Sequence, residues 1–226
     1  MMTPEESAIW TEAQRLELRH WINGNRHIDA STEDRRESIR HRYERISRLI
    51  WSALGFMKDC FSGYEVLEIG AGPTGRCLWF DGTFDAIDPL YAEYEAMEWA
   101  QTDFYRQWYG VPAEKLLEEC VHQYHAVICM NCLDHCHNPW AVMRNAFEYV
   151  CFGGTMFLSC DVGEQVDEMH PCTMGEMKLI DLIEDTGFII EKQTHGHCHP
   201  GKEIGDPWRD NWGGGIANHF WLRKPA

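Results

Sequence analysis

The spacing of apolar residues divides the chain into a helical first part and a longer part in which strands and helices alternate. Apolar residues recur at helical spacing over residues 9–16, behind a TPEE helix start at residues 3–6. A second apolar stripe predicts a helix over about residues 31–54. We therefore expect residues 1–60 to form a helical N-terminal cap.

From residue 61 onward, short apolar runs alternate with helical stretches. The expected strands cover residues 64–69, 84–87, 125–130, 155–160, a run starting at 187, and 218–223. The expected helices between them cover residues 91–99, 139–150 and 173–186. Such alternation predicts an α/β domain with a mostly parallel central sheet covered on both faces. We expect this domain over residues 61–226, with a His-, Trp- and Gly-rich insertion at about 194–217.

The stretch VLEIGAGPTG, residues 66–75, runs from a buried strand into a glycine-rich turn. A turn without side chains lets a ligand approach the backbone closely. Asp88 ends the next strand, where an acidic residue can bind ribose hydroxyls. This pairing serves NAD and S-adenosylmethionine (SAM) alike, so other features must distinguish the two ligands.

Three features favour SAM over a dinucleotide. Glu68 precedes the turn, where a carboxylate can hold the methionine ammonium but would be a poor neighbour for a pyrophosphate. Only residues 76–82 separate the turn from the next strand, so the long helix that usually faces a diphosphate is barely supplied. A helical segment of sixty residues precedes the turn, and no second nucleotide-binding half is evident. An NAD-dependent oxidoreductase is therefore the poorer alternative.

The motifs VLEIGAGPTG, AIDPL, VICMNCLDHCHNP and GGTMFLS resemble, in this order, those of class I SAM-dependent methyltransferases. The resemblance covers roughly residues 62–192 and a closing NHFWLRK strand. It implies a Rossmann-like fold with an antiparallel final strand and SAM as the cofactor. The DPL and LDH-x-x-x-P motifs are most similar to the subgroup that acts on small molecules, including sugars and polyketide-type hydroxyls. A third strand is hard to locate within residues 91–109.

The resemblance also implies a set of cofactor-binding residues. They are Glu68, Gly70, Ala71, Gly72, Gly75, Asp88, Pro89, Leu90, Ala113, Glu114, Asn131, Cys132 and Leu133. Residues 68–75 would line the methionine and ribose, residues 89–90 and 113–114 the adenine, and residues 131–133 the sulfonium. Asp134 and His135 would face the substrate.

Methyl transfer from a sulfonium is an in-line displacement, in which the protein aligns the nucleophile and excludes water. Histidine suits the role of general base near neutral pH. His135 and His170 are the catalytic candidates, because both follow predicted strands at the edge where ligands of α/β sheets gather. The alternatives are a capping or cofactor-side role for His135 and a plain turn residue for His170.

The insertion and the N-terminal helix supply the substrate-binding candidates. These are Trp10, Trp21, His199 and Trp212, with core packing or an ordered surface loop as the alternative for the tryptophans. His195, His197, Cys198 and His199, with His219 near them, have metal-ligand chemistry. Their alternation also fits the end of a strand with one polar face, and we assign no metal.

A second apparent ligand cluster contains Cys129, Cys132 and Cys136, with His135 and His137 beside them. Its first members fall on a predicted buried strand, whose successive side chains point to opposite faces. Core packing is therefore expected here, and not a zinc site.

Composition and charge narrow the choice of partners. The chain has 36 acidic and 20 basic residues, a net charge of −16, which disfavours a nucleic-acid polymer as substrate. Its 10 cysteines without a secretory signal indicate reduced thiols in a cytoplasm, and no run of apolar residues is long enough to span a membrane. The oligomeric state is left open.

The sequence as a whole predicts an enzyme that transfers a methyl group from SAM to a small molecule. A hydroxyl oxygen of a sugar or natural product is the expected acceptor atom. The alternatives are N-methylation of a small molecule or protein, and a non-catalytic SAM- or metal-binding module.

Overall fold

The structure, a computed structural model, describes residues 3–25, 28–162, 168–172, 174–197 and 216–226. The helices are α1 (Pro4–Asn25), α2 (Glu33–Ala53), α3 (Tyr91–Glu95), α4 (Pro139–Tyr149) and α5 (Glu176–Thr186). The strands are β1 (Glu65–Ile69), β2 (Thr83–Ile87), β3 (Gln107–Tyr109), β4 (Tyr124–Met130), β5 (Val150–Asp161), β6 (Ile189–His197) and β7 (Ile216–Arg223).

All seven strands form one sheet in the order β3-β2-β1-β4-β5-β7-β6. The first five of these strands are parallel, whereas β7 is antiparallel to both β5 and β6. The expected α/β fold, a mostly parallel sheet with an antiparallel final strand, is confirmed. Since β1 and β4 are central and parallel, their carboxyl ends meet at one edge, where ligands of such sheets bind.

Both faces of the sheet are covered by apolar side chains. One face packs against α4 and α5, through residues such as Val142 and Leu182. The other packs against α2, whose Trp51 is fully buried against Phe56, Phe80 and Phe157. Burial on both faces explains why β1 and β4 are nearly continuous apolar runs.

The two N-terminal helices begin where the sequence predicts. At the start of α1, Thr3 Oγ1 accepts the Glu6 N–H at 3.2 Å while Glu6 Oε2 accepts the Thr3 N–H at 2.7 Å, which is a capping box. Thr32 caps α2 by accepting the Arg35 N–H at 3.4 Å. The two helices pack with the α3 region in a third apolar cluster, which includes Trp21. They therefore cover the edge at which β2 and the glycine turn end.

Four segments differ from the expected elements. Residues 76–82, where the sequence leaves room for a short helix only, form turns and bends, and in the turn before them Gly70, Gly72 and Gly75 have φ values of 70°, 60° and 62°. Helix α3 ends at Glu95, and the Gln101 N–H donates to the Pro73 carbonyl, which fastens the following segment to the turn. The three-residue strand β3 was not located from the sequence.

The fourth difference concerns the insertion expected from residue 194. Residues 194–197 instead extend β6, which pairs with β7 as far as Ile216. The rest of the insertion, residues 198–215, lies outside the described residues. Within the part of the chain that the structure describes, no helix is long and apolar enough to cross a membrane.

Candidate functional site

The glycine turn that follows β1 depends on its glycines for conformation and for space. Gly70 and Gly72 have positive φ, a region that side-chain-bearing residues rarely occupy. A Cβ on Gly70 would lie 2.4 Å from Cys132 Sγ, since the end of β4 packs directly against the turn. The Gly70 N–H donates to the Ile87 carbonyl at 2.9 Å, so the turn is also tied to the end of β2.

Asp88 lies beside this turn, as the sequence pairing predicts. Its buried carboxylate accepts the Gly72 N–H at 3.0 Å and the Leu90 N–H at 2.9 Å. Burial raises the pKa of Asp88 to about 7, although both hydrogen bonds act to lower it. The backbone of the glycine turn and the backbone at Leu90 therefore hold the carboxylate from two sides.

Glu68 is 1% exposed and is held by other side chains of the protein. Tyr105 donates its hydroxyl to Glu68 Oε2 at 2.5 Å, and the Cys77 thiol also hydrogen-bonds to the carboxylate. Burial raises the pKa of Glu68, and these two hydrogen bonds oppose the rise. The contact between Glu68 and a methionine ammonium stays a prediction.

Asn131 follows β4 in a left-handed conformation, with φ of 53°, which Asn tolerates better than most residues. Its N–H donates to the Ser159 carbonyl at 2.8 Å, while its buried Oδ1 accepts no hydrogen bond from the part of the chain that the structure describes. A buried amide oxygen without a donor can accept a hydrogen bond from a ligand. The next residues form a short 3-10 turn, Leu133–His135, at the same edge.

The remaining cofactor candidates also lie at the carboxyl edge, next to the ends of β1, β2 and β4. They are Ala71, Gly75, Pro89, Leu90, Cys132 and Leu133. The segment with Ala113 and Glu114 is anchored to α4 instead. Glu114 Oε1 accepts the N–H groups of His137 and Asn138, and lies 2.7 Å from His137 Nδ1. These contacts give Glu114 a structural role, and adenine binding by the segment stays a prediction.

The two catalytic candidates, His135 and His170, come together at this edge. Their ring centroids are 4.4 Å apart, and His170 Nε2 lies 3.9 Å from Asp134 Oδ2. The Cys172 N–H donates to the Asp134 carbonyl, which fastens the loop after β5 to the end of β4. Asp134, His135 and His170 are hereafter called the acceptor-side cluster.

Helix α1 covers this cluster and the glycine turn. Glu17 Oε2 lies 3.6 Å from His135 Nδ1, while Glu17 Oε1 accepts the Trp21 indole N–H at 2.6 Å. The Trp21 ring would lie 3.9 Å from a Cβ on Gly72, and Trp10 contacts the His137 ring edge-on. Burial lowers the pKa of His135, but the carboxylates of Asp134 and Glu17 outweigh burial and raise it.

Sequence reasoning missed Glu17. It lies among other charged residues on a helix that buries only Ala13, Trp21 and Asn25, so it reads as part of a solvated face. Glu17 precedes Trp21 by four residues, a spacing that allows the two side chains to meet along the helix. The sequence gives no signal for the contact of Glu17 with His135, which lies on a different element.

The other predicted ligand groups do not join the acceptor-side cluster. Cys129, Cys132 and Cys136 are buried free thiols, as core packing predicts. His195 is exposed and 3.1 Å from Glu176, whereas buried His219 hydrogen-bonds to Ser159. The candidates Cys198, His199 and Trp212, like Trp208, lie outside the described residues.

Solved structures match the fold of this chain, whereas neither a family model nor the sequence of a curated protein matches it. One is a 1,6-didemethyltoxoflavin N1-methyltransferase of Burkholderia thailandensis, solved with S-adenosylhomocysteine, with a TM-score of 0.59 at 16% identity. The match covers 100% of this chain and 92% of the methyltransferase chain. A phosphoethanolamine N-methyltransferase 2 of Haemonchus contortus, also solved with S-adenosylhomocysteine, has a TM-score of 0.53 at 13% identity, covering 80% of this chain and 52% of its own. The [4+2]-cyclase SpnF has a TM-score of 0.56 at 14% identity, with 81% of each chain covered.

The chain therefore has the Rossmann-like fold of class I SAM-dependent methyltransferases. The cyclase among these structures illustrates that the fold alone does not define a reaction, so the activity must be argued from the site.

Proposed function

We propose that this protein is an enzyme that transfers a methyl group from SAM to a small molecule. The observation that carries the proposal is the glycine turn with the buried Asp88 carboxylate beside it, at the carboxyl ends of β1 and β2. Two methyltransferases of the same fold were solved with S-adenosylhomocysteine, the product of SAM, which supports SAM as the cofactor.

The cofactor would lie across the ends of β1, β2 and β4. Asp88 would accept hydrogen bonds from the ribose hydroxyls, and the open backbone of Gly70 and Gly72 would admit the methionine portion. Asn131 Oδ1, which is buried and has no donor among the described residues, offers a neutral acceptor for the methionine ammonium, and the buried Glu68 carboxylate offers a negative one. Pro89 and Leu90 would border the adenine.

In the reaction, a lone pair on the acceptor attacks the methyl carbon as the carbon–sulfur bond breaks, and the sulfonium becomes a neutral thioether. The acceptor loses a proton, for which the imidazoles of His135 and His170 at this edge are the candidate bases. Helix α1 lies over the glycine turn, where the cofactor would bind, and over the acceptor-side cluster. A cover of this kind excludes water from the reacting groups.

A hydroxyl oxygen of a sugar or natural product is the acceptor that the sequence motifs favour. Nitrogen is the alternative, because the two methyltransferases compared above are both named for methylation of nitrogen. The net charge of −16 favours a neutral or cationic acceptor over a nucleic-acid polymer. The free thiols of the described cysteines agree with a reducing compartment such as the cytoplasm.

Calorimetric titration with S-adenosylhomocysteine tests the cofactor first. Wild type should bind, and Asp88→Ala should weaken binding at least tenfold, whereas the control Asp81→Ala should not, because Asp81 is exposed and pairs with Lys58. Binding of NAD in place of S-adenosylhomocysteine would contradict the proposal. Formation of S-adenosylhomocysteine from SAM with a panel of hydroxylated and amine acceptors then identifies the acceptor class.

A further inference from the structure

We propose that the acceptor-side cluster, Asp134, His135 and His170, binds one divalent transition-metal ion on the substrate side of the cofactor crevice. The role of such an ion in catalysis rests on the proposed function, but its binding does not. The three residues come from two separate segments, the turn after β4 and the loop after β5, which the fold brings to one place.

The geometry of the cluster fits a metal with little rearrangement. One candidate ligand atom from each residue lies within 4.8 Å of the other two. Ligands at about 2.0–2.2 Å from a tetrahedral ion are separated by roughly 3.3–3.6 Å. His170 Nε2 and Asp134 Oδ2 are 3.9 Å apart. Small side-chain rotations would therefore bring all three atoms onto one ion.

A second observation points to a cation. The Asp134 side chain is only 7% exposed, and its buried Oδ1 has no hydrogen-bond partner among the residues that the structure describes. A buried carboxylate oxygen without a donor is costly, and such groups in native structures usually have an ion, a water or a function. Coordination through both carboxylate oxygens, or through Oδ1 after rotation of the carboxylate, would satisfy this oxygen.

The donor set indicates the kind of ion. Two imidazoles and one carboxylate suit Zn²⁺ or Fe²⁺, and three protein ligands leave coordination positions open for water or substrate. Glu17, 3.6 Å from His135 Nδ1 and hydrogen-bonded to Trp21, can orient the His135 ring as carboxylates often do for metal-bound imidazoles. The added negative charge of Glu17 also favours a cation here.

The open positions would face the acceptor, because the cluster lies next to Asn131 and Cys132 at the edge assigned to the sulfonium. An oxygen or nitrogen atom of the acceptor bound there would be held near the methyl group, and coordination would lower its pKa. With both imidazoles on the ion, this lowered pKa would take the place of proton removal by His135 or His170. The acceptor would then be a molecule with a metal-binding heteroatom, such as a hydroxyl beside a carbonyl or a second hydroxyl.

Calorimetry with Zn²⁺ on the chelator-treated full chain tests the site. Wild type should bind one ion per chain. Asp134→Asn and His170→Gln should each weaken binding by about 100-fold or more, because each changes a proposed ligand, and even the loss of a group that only orients a ligand costs about 10–100-fold. His41→Gln, an exposed histidine on α2, and His195→Gln should bind as wild type does. Circular dichroism and the unfolding temperature would establish that each variant is folded.

The same samples separate this proposal from the proposed function. Loss of Zn²⁺ binding in the two cluster variants with unchanged affinity for S-adenosylhomocysteine would support a metal site that is independent of the cofactor. No Zn²⁺ binding by wild type would overturn the proposal. Zn²⁺ binding that survives both cluster variants would also overturn it. So would Zn²⁺ binding that is lost in His195→Gln or His199→Gln, because the ion would then be bound by the histidines of residues 195–199.

Discussion

Asp88 is the residue in which burial and hydrogen bonding most clearly oppose one another. Two backbone N–H groups hold its carboxylate, yet burial raises its pKa to about 7. Ribose hydroxyls would add donors and favour the ionised form. Burial therefore disfavours the charged form of Asp88, which gives the stability of the protein a measurable pH dependence.

We predict that Asp88 makes the ligand-free protein less stable as pH rises from about 4 to about 7. Its folded pKa of about 7 lies above the ordinary value of 3.8, so in this range the folded state keeps a proton that the unfolded state has lost. The free energy of unfolding of wild type should fall relative to Asp88→Asn by a few kcal/mol across the range, since one pKa unit corresponds to about 1.4 kcal/mol. Urea unfolding at several pH values measures this difference, and parallel curves for the two proteins would contradict it.

We also predict that Gly70→Ala is more destabilising than Gly55→Ala. Both glycines have positive φ, 70° and 86°, so both substitutions carry the left-handed strain of about 1 kcal/mol. A Cβ on Gly55 meets nothing within 4 Å, whereas one on Gly70 meets Cys132 at 2.4 Å, and such overpacking costs about 1–3 kcal/mol more. Urea unfolding compares the two variants. Equal losses would mean that the end of β4 does not pack against the turn.

At the residue scale, the sequence predicted what depends on local spacing. The position of Asp88 beside the glycine turn could be predicted, because Asp88 ends the strand that follows this turn in the sequence. The convergence of Glu17 with His135 could not be predicted, because it depends on how α1 crosses the sheet edge. The pairing of His170 with Asp134 depends likewise on the path of a loop.

At the scale of elements, α2 fixes the segment that follows the glycine turn. Ser47 Oγ and the Trp51 indole N–H both donate to the Arg76 carbonyl, the latter at 2.7 Å. Helix α2 thus holds the Arg76 carbonyl, one residue after Gly75, by two hydrogen bonds in addition to its apolar packing. Cooperation between the two donors is open to test.

We predict that Ser47→Ala and Trp51→Phe are coupled in their effect on stability. Either variant leaves the Arg76 carbonyl with one donor, at a cost of about 1 kcal/mol. The altered packing of residue 51 adds to the loss in Trp51→Phe, and the loss of the acceptor for the Trp79 N–H adds to it in Ser47→Ala. The double variant leaves a part-buried carbonyl unpaired, so its loss in free energy of unfolding should exceed the sum of the single losses by about 0.5 kcal/mol or more. A double-mutant cycle by urea unfolding measures the excess, and strict additivity would contradict the shared acceptor.

Helix α1 gives a second prediction at this scale. Trp21→Ala should weaken binding of S-adenosylhomocysteine at least several-fold, because the indole lies over Gly72 where the cofactor is proposed to bind. Ile22→Ala is the matched control, because Ile22 is half exposed and its substitution should leave binding unchanged. Calorimetry of both variants decides this, and equal affinities would make Trp21 a core residue alone.

The elements that the sequence predicted well are those with a strong apolar pattern. The central strands β1 and β4 are buried on both faces and were placed within one residue at each end. The edge strand β3 has three residues, too few for a period to be visible. The absent helix after the turn follows from the conformations of Gly72 and Gly75, which composition alone does not reveal.

For the whole molecule, charge is the property that most limits partners and stability. The net charge is −16, from 36 acidic and 20 basic residues. Exposed ion pairs such as Arg36–Glu33 contribute little, typically about 0–1 kcal/mol. Repulsion among the excess carboxylates therefore dominates the long-range electrostatics, and it acts against the compact state.

We predict that salt stabilises this protein at neutral pH. The Debye length falls from about 30 Å at 0.01 M to about 10 Å at 0.1 M, so added NaCl screens the long-range repulsion, while short, partly buried contacts such as Arg106–Asp85 are screened much less. A gain of about 1 kcal/mol would raise the unfolding temperature by roughly 2–4 °C for a chain of this size. The control is the same titration near pH 5.1, the isoelectric point, where the net charge vanishes and the rise should vanish with it. An equal rise at both pH values would mean that NaCl acts through the hydration of apolar surface and not through charge.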